Sequence, residues 1–266
     1  MTTNMPLAVE GLSKSFKVRR PGRKPTTFQA VEDVSFELAA GETLAIVGES
    51  GSGKSTVARC CMRLYDPDSG SIRVDGESIE HHSQRRMRPV RAKLQMVFQD
   101  PMGSLNPRKR CVDSIADPLR ALGSSPRAAR RTALETAELV GLPKALAMRF
   151  PHELSGGQRQ RVGIARALSV RPRILILDEA VSALDVSVQA QVLNLLKDVQ
   201  DELGLAYLFI THDMGVVRFI SDRVAVMSRG RIVETGTTSD VLERPGHEYT
   251  QRLLSSVPSL AQNVET

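Results

Sequence analysis

The chain has 266 residues and a net charge of +6, with 41% hydrophobic and 25% charged residues. These proportions exclude a disordered, collagen-like or coiled-coil protein, and the length allows one large domain or two small ones at roughly 150 residues each. No apolar run approaches the roughly 18 residues that a membrane-spanning helix needs, and residues 1–6 do not form a signal-peptide pattern. We therefore expect a cytosolic protein, whose basic surplus suits an anionic partner or serves solubility alone.

Short apolar runs, many of them β-branched, alternate with longer segments of helical periodicity. The predicted strands are residues 7–12, 34–38, 43–47, 94–98, 174–177, 206–210 and 223–227. The alternation is typical of an α/β fold with a mainly parallel sheet. Between the first two strands, residues 19–27 are basic and contain Pro and Gly, which indicates an exposed hairpin loop and a small antiparallel β subdomain.

Two helical regions are expected outside the glycine-rich motifs. Residues 111–140 have helical patterning broken at 123–126, and we place a helical insertion at about residues 100–152. In residues 188–203 the apolar positions keep helical spacing, so this helix presents one face to the sheet.

The strongest motif is GxxxxGK[ST], which occurs between a predicted strand and a predicted helix. Its glycines let backbone N–H groups converge on phosphate oxygens, and the following helix adds its positive end. Lys54 is expected on the β- and γ-phosphates of a nucleotide, and Ser55 on Mg²⁺. The predicted phosphate-binding residues are Gly48, Glu49, Ser50, Gly51, Ser52, Gly53, Lys54, Ser55 and Thr56.

Two carboxylates, Asp178 and Glu179, follow the apolar strand at 174–177. The carboxyl ends of parallel strands are where α/β proteins place ligands, and successive side chains of a strand point in opposite directions. Asp178 is expected to hold Mg²⁺ through its water shell, and Glu179 to take a proton from an attacking water. Acidic residues after a strand often only cap a helix, but together with the phosphate loop they indicate hydrolysis of a nucleoside triphosphate.

A second glycine-rich helix start, residues 154–158 (Leu-Ser-Gly-Gly-Gln), precedes the helical run 159–169 and also suits an anion. One nucleotide uses only one such loop for its phosphates. The second start therefore serves another nucleotide or molecule, or it forms only a turn.

In this order, from Phe16 to His212, the motifs resemble those of the nucleotide-binding subunits of ABC transporters over nearly the whole chain. The resemblance implies the ABC ATPase fold across residues 1–266, with ATP and Mg²⁺ as ligands. It also implies a head-to-tail dimer, in which the signature motif at 154–158 closes on ATP held by the opposite subunit. The signature residues expected at ATP are Ser155, Gly156, Gly157 and Gln158.

The resemblance assigns three further residues. Gln99 matches the Q-loop glutamine, which senses Mg²⁺ and the γ-phosphate and links the site to the helical insertion. Asp185 matches the D-loop at the dimer interface, and His212 matches the switch histidine on the γ-phosphate. Each has a simpler interpretation: Gln99 could be solvated, Asp185 could cap the helix at 188–203, and His212 could be an ordinary histidine.

The adenine ring is expected to stack on Phe16, which follows the predicted opening strand as the aromatic residue of the family's A-loop does. Phe28 is the rival, because the basic insertion between the two leaves the register open.

Residues 98–108 and 246–254 resemble the ATPases of the oligopeptide, dipeptide and nickel importer group, whose C-terminal extension would cover residues 245–266. The resemblance implies an ATP-hydrolysing subunit of an importer for a peptide or nickel-type solute, peripheral at the cytoplasmic face of the membrane. The implied partners are two transmembrane permease subunits, a second and related ATPase subunit and, indirectly, an extracytoplasmic solute-binding protein.

Two other classes of function fit part of the sequence. A soluble ABC ATPase acting on nucleic acid or ribosomes would suit the basic surplus, but such families usually add zinc modules, long coiled coils or a second cassette. A regulatory module that binds ATP without turnover would not need Glu179 and His212. We therefore expect an enzyme, and no nucleic-acid partner.

Overall fold

The structure, a computed structural model, describes residues 5–18 and 26–255, the side chains of Val18, Pro101 and Met102 excepted. Its strands are β1 (Leu7–Val18), β2 (Thr26–Leu38), β3 (Thr43–Val47), β4 (Ser69–Val74), β5 (Glu77–Ser78), β6 (Leu94–Val97), β7 (Ile174–Asp178), β8 (Ala206–Thr211), β9 (Arg223–Ser228) and β10 (Arg231–Thr237). Its helices are α1 (Lys54–Cys61), α2 (Met87–Lys93), α3 (Pro101–Ser104), α4 (Cys111–Ala121), α5 (Pro126–Leu139), α6 (Lys144–Ala147), α7 (Gly156–Leu168), α8 (Val186–Leu203), α9 (Met214–Ile220), α10 (Thr238–Glu243) and α11 (Glu248–Ser255).

A six-stranded sheet in the order β10-β9-β3-β8-β7-β6 forms the centre of the molecule, and all its neighbouring strands run parallel except the β9–β10 pair. Every residue of β3, β7 and β8 is buried. Strands buried on both faces have continuous apolar sequences. The five predicted parallel strands therefore begin at the same residues as β3, β6, β7, β8 and β9 of the structure.

The second sheet is antiparallel, in the order β2-β1-β4-β5. Both long strands exceed the prediction: β1 continues to Val18, and β2 begins at Thr26, inside the predicted hairpin loop. The rest of that loop, residues 19–25, lies outside the described residues. The alternation of apolar and polar residues that predicts a strand is interrupted here, because the first four residues of β2 are exposed and the β1–β2 register shifts between Val9 and Ser15.

The central sheet is covered on both faces. One hydrophobic cluster joins it to the antiparallel sheet and α1, and another joins its opposite face to α4, α5, α7 and α8. Helices α3 to α6 fall within the predicted helical insertion, and the break predicted at 123–126 separates α4 from α5, where Ser125 caps α5 and Pro126 opens it. Within 5–18 and 26–255, no helix has the length and apolarity that crossing a membrane would take.

Candidate active site

The phosphate loop, residues 48–55, connects β3 to α1. Its glycines have positive φ angles: +150° at Gly48, +80° at Gly51 and +108° at Gly53. A Cβ at Gly48 would lie 2.1 Å from the carbonyl oxygen of Met227, and one at Gly53 would lie 2.2 Å from that of Ala30. Glycine is therefore required at both positions by conformation and by space. The loop delivers the N-terminus of α1 to the carboxyl end of the sheet.

Lys54, the first residue of α1, is only 4% exposed. Its Nζ donates hydrogen bonds to the carbonyl oxygens of Gly48 at 2.7 Å and Glu49 at 2.8 Å. Burial lowers the pKa of the ammonium, and the carboxylates of Glu179, Asp178 and Glu49 oppose that shift. Its hydrogen-bond acceptors, these two carbonyls and Ser52 Oγ at 3.4 Å, are all neutral, so exchanging them for phosphate oxygens gains electrostatic energy.

Asp178 closes β7 and is 4% exposed. Ser55 Oγ donates to its Oδ1 at 2.8 Å. Burial raises the pKa of the Asp178 carboxyl; the hydrogen bond from Ser55 and the charges of Arg59 and Lys54 lower it, whereas Glu179 adds to the rise. The structure thus brings two of the three residues expected to bind magnesium, Ser55 and Asp178, into direct contact; the third is Gln99.

Mg²⁺ commonly takes one or two carboxylates, water molecules and substrate phosphates as its ligands. The described residues contain no group of three or more His, Cys, Asp or Glu that could form an all-protein metal site. The buried carboxylate of Asp178 and the hydroxyl of Ser55 fit a magnesium ion bound together with a nucleotide, because both supply hard oxygen atoms at the mouth of the phosphate loop.

Glu179 lies immediately beyond β7 with a left-handed backbone, φ +49°. Gln99 Nε2 donates to its Oε2 at 2.7 Å, and His212 Nδ1 lies 3.4 Å from its Oε1. The Glu179 side chain is 19% exposed and that of His212 is 59% exposed. Gln99, Glu179 and His212 follow β6, β7 and β8, which are neighbours in the sheet, so their carboxyl ends converge.

A cavity of about 370 Å³ lies over the phosphate loop, and both aromatic candidates line it. Phe16 is part of β1, whereas the sequence placed it after that strand; this placement was wrong because β1 is longer than predicted. Phe16 lies opposite Phe28 in the strand pairing and meets the edge of Tyr65 at a centroid distance of 5.3 Å. Phe28 is 54% exposed. The structure therefore places both rings at the site.

The signature turn, residues 154–158, is a capping box at the start of α7. Gln158 N donates to Ser155 Oγ at 3.3 Å, and Ser155 N donates to Gln158 Oε1 at 3.0 Å. A Cβ at Gly157 would lie 2.3 Å from Val188 Cγ1, so α8 can approach only a glycine there. None of the residues 155–158 lines the cavity over the phosphate loop. Within one chain the second predicted anion-binding helix start therefore contributes nothing to the cavity over the phosphate loop.

Asp185 caps α8: its Oδ1 accepts from Val188 N at 2.9 Å and from Ser187 Oγ at 2.7 Å. These bonds, first the one from Val188 N, hold the pKa of the carboxyl below its usual value. In the single chain Asp185 therefore acts as a helix cap, the simpler of its two interpretations. The next residue, Val186, is 84% exposed.

Sequence reasoning missed two contacts of the site. The hydroxyl of Tyr249 accepts a hydrogen bond from Glu49 N in the phosphate loop at 3.2 Å. The guanidinium of Arg166, on α7, donates to the carbonyl oxygen of Ser104 at the end of α3. No periodicity or motif joins residues so far apart in the chain, so no signal in one sequence could have found them.

Comparison with known proteins identifies the family to which the chain belongs. Residues 31–182 match the family model described as ABC transporter, and residues 233–266 match the one described as oligopeptide/dipeptide transporter, C-terminal region. A putative peptide import ATP-binding protein of Brucella abortus (strain 2308) is 52% identical over 241 residues, which cover 90% of this chain and 72% of that protein. The glutathione import ATP-binding protein of Salmonella typhimurium is 51% identical over 256 residues, 95% of this chain and 41% of that protein.

Solved structures with a similar fold agree with this family assignment. The dimeric ATP-binding cassette MJ0796, in a post-hydrolysis state bound to ADP and Pi, has a TM-score of 0.77 at 29% identity, covering 87% of this chain and 98% of that one. Another neighbour is cbiO1 of Clostridium perfringens, part of an ABC transporter complex, with a TM-score of 0.77 at 28% identity over 91% and 92% of the two chains. The predicted fold class, the predicted ATPase and the resemblance to the oligopeptide group are confirmed. The chain belongs to the ABC transporter family, as one of its ATP-binding, ATP-hydrolysing cassettes.

Proposed function

We propose that the chain energises an importer for peptides or a nickel-type solute, as a peripheral subunit at the cytoplasmic face of the membrane. The observation that carries this is the match of residues 233–266 to the C-terminal region of oligopeptide and dipeptide transporters. The relative from Brucella abortus, named for peptide import, supports the same solute class. The proposed assembly contains two permease subunits, a related second ATPase subunit and, outside the membrane, a solute-binding protein.

In the proposed reaction, Lys54 and the N–H groups of the phosphate loop hold the β- and γ-phosphates of ATP. Glu179 orients a water molecule for in-line attack on the γ-phosphorus and accepts its proton, since its carboxylate lies at the loop and Gln99 fixes one oxygen at 2.7 Å. His212 Nδ1 lies 3.4 Å from the other oxygen of Glu179, and in this reaction the His212 ring donates a hydrogen bond to the γ-phosphate. Preorganised donors of this kind stabilise charge in the transition state.

Ser55 and Asp178 would hold Mg²⁺, with Gln99 as a further ligand at the γ-phosphate side. Once bound with the nucleotide, the ion supplies positive charge that offsets the charge developing on the phosphate oxygens. The protein's own part is to keep Ser55 Oγ 2.8 Å from Oδ1 of the buried Asp178.

We further propose that ATP is sandwiched between two ATPase subunits. The partner would supply a signature turn equivalent to Ser155, Gly156, Gly157 and Gln158, and a loop equivalent to Asp185. Two features support this: the signature turn stands apart from the cavity of its own chain, and the dimeric cassette MJ0796 has a similar fold. ATP then favours the closed dimer because it contacts both subunits only there.

Movement of the helical insertion would transmit closure to the permeases. Gln99 joins the end of β6 to α3, and the hydrogen bond from Arg166 to the Ser104 carbonyl joins α3 to the signature helix α7. A change at the γ-phosphate can therefore pass from Gln99 through α3 to α7, the helix that begins at the signature turn.

The stacking of adenine on Phe16 can be tested by mutation. We expect Phe16→Ala to weaken ATP binding by roughly five- to a hundredfold, since loss of an aromatic stacking partner costs about 1–3 kcal/mol per base. Isothermal titration of the purified chain with ATP measures it. Phe28→Ala is the matched control, because both rings line the same cavity. A larger loss of affinity in Phe28→Ala would transfer the stacking role to Phe28.

The importer proposal is tested by isolating the tagged full chain from cells of its source. We expect it in the membrane fraction, together with two multi-spanning proteins and a second ATPase of similar sequence. A chain carrying Lys54→Ala serves as a control for nucleotide-independent assembly. Recovery with ribosomes or DNA, and without membrane proteins, would refute the importer and restore the soluble alternative.

A further inference from the structure

The peptide group between Gly48 and Glu49 is held from both of its polar ends. Its carbonyl oxygen, that of Gly48, accepts from Lys54 Nζ at 2.7 Å, and its N–H, that of Glu49, donates to the Tyr249 hydroxyl at 3.2 Å. A peptide group is planar, so its C=O and N–H can only turn together. Fixing the N–H of Glu49 therefore also fixes the Gly48 carbonyl, one of the two carbonyls that accept hydrogen bonds from the Lys54 ammonium.

Tyr249 reaches this peptide from α11, in the C-terminal segment 246–255, and two anchors hold that segment. The Glu234 carboxylate on β10 accepts from Gly246 N at 2.7 Å and from His247 N at 3.1 Å. Apolar side chains of α11, including the Tyr249 ring, pack on a buried cluster of residues from β3, β9, α9 and α10. Because the ring is seated in this way, the direction of its hydroxyl is set before any nucleotide binds.

We propose that Tyr249 is a positioning residue for the phosphate loop: it holds the Gly48–Glu49 peptide in the orientation that presents Lys54 to ATP. The C-terminal segment thereby contributes to nucleotide affinity as well as to the packing of the cassette. This inference rests on the proposed ATP site and assigns a role to part of the region that matches the oligopeptide/dipeptide transporter model.

Hydrogen-bond cooperativity strengthens the contact between the Gly48 carbonyl and Lys54. An N–H that donates to a hydroxyl polarises its own peptide group and makes the carbonyl a better acceptor for Lys54. Without the hydroxyl, the Glu49 N–H opens toward a polar cavity of about 400 Å³ between the phosphate loop and α11. The peptide group can then rotate, and the Gly48 carbonyl no longer holds the Lys54 ammonium in a fixed position.

Tyr249→Phe in the full chain removes the hydroxyl and keeps the ring. We expect the Kd for ATP to rise roughly threefold to tenfold, the range for the loss of one neutral hydrogen bond. The KM for ATP should rise by the same factor, with kcat at saturating ATP changed by less than about twofold, since uniform binding alone is lost. Amide hydrogen exchange should accelerate at Glu49 while residues 246–255 keep their protection.

Two controls separate the hydroxyl from other causes. Tyr207→Phe also removes one tyrosine bond to the backbone, that from its hydroxyl to the Leu196 carbonyl at 2.9 Å, but far from the phosphate loop. Arg252→Ala removes a charge from the same cavity and leaves Tyr249 intact. Neither is expected to change ATP affinity.

Unchanged ATP affinity in Tyr249→Phe would overturn the proposal. So would an equal loss in Arg252→Ala, which would assign the effect to charge, or faster exchange throughout 246–255, which would show that the hydroxyl secures the helix instead of the loop. The ATP site itself is tested separately with Lys54→Ala, so its failure is distinguishable from failure of this inference.

Discussion

Replacing Glu179 with glutamine is expected to lower kcat for ATP hydrolysis by about two to four orders of magnitude, the usual contribution of a general base. The amide keeps the shape of the carboxylate but accepts no proton from water. ATP should still bind, because Lys54 and the glycines of the phosphate loop are untouched and a negative charge near the phosphates is removed. Steady-state phosphate release and equilibrium ATP binding, measured on the same preparation, separate the two effects.

With hydrolysis blocked, ATP should accumulate in the closed dimer. Size-exclusion chromatography in ATP and Mg²⁺ should then show a dimer for Glu179→Gln where the unmodified chain returns to monomers. Glu202→Gln is the matched control, since this residue is exposed on α8. An ATPase rate within about tenfold of the unmodified chain would remove Glu179 from the role of general base.

The strands of the central sheet were predictable because their environment dictates their composition. A strand buried on both faces needs an unbroken apolar run, and β3, β7 and β8 have one. The phosphate loop was predictable for a related reason. Its glycines are needed where the backbone turns with positive φ and where a side chain would not fit: a Cβ at Gly48 would lie 2.1 Å from the Met227 carbonyl oxygen.

The meeting of Gln99, Glu179 and His212 was not predictable from their positions in the chain alone. It depends on β6, β7 and β8 being neighbours, an order that the family resemblance implies but the residues do not encode locally. The lengths of β1 and β2 were missed because exposed antiparallel strands admit polar residues and register shifts. Tyr249 was missed because its contact spans 200 positions of the chain.

Replacing Lys54 with alanine is expected to weaken ATP binding by at least about thirtyfold, since loss of one partner from a desolvated, hydrogen-bonded charge pair costs about 2–5 kcal/mol. The lysine is 4% exposed, so solvent screens its charge little and its attraction for the phosphates is correspondingly strong. The carbonyl oxygens of Gly48 and Glu49, which now accept from its Nζ, would face the phosphates without a cation between them. Isothermal titration with ATP and Mg²⁺ measures the loss.

Because Lys54 also donates hydrogen bonds to the backbone of the phosphate loop, a second variant distinguishes binding from folding. Lys54→Met keeps the aliphatic stem and removes only the charge; it should fold with a thermal midpoint close to that of the unmodified chain and still lose ATP. Lys144→Ala, at an exposed position on α6, controls for the loss of one positive charge from a chain that carries a net +6. If both Lys54 variants fold and bind ATP with undiminished affinity, residues 48–55 are not the phosphate site, and the charge that holds ATP must lie elsewhere.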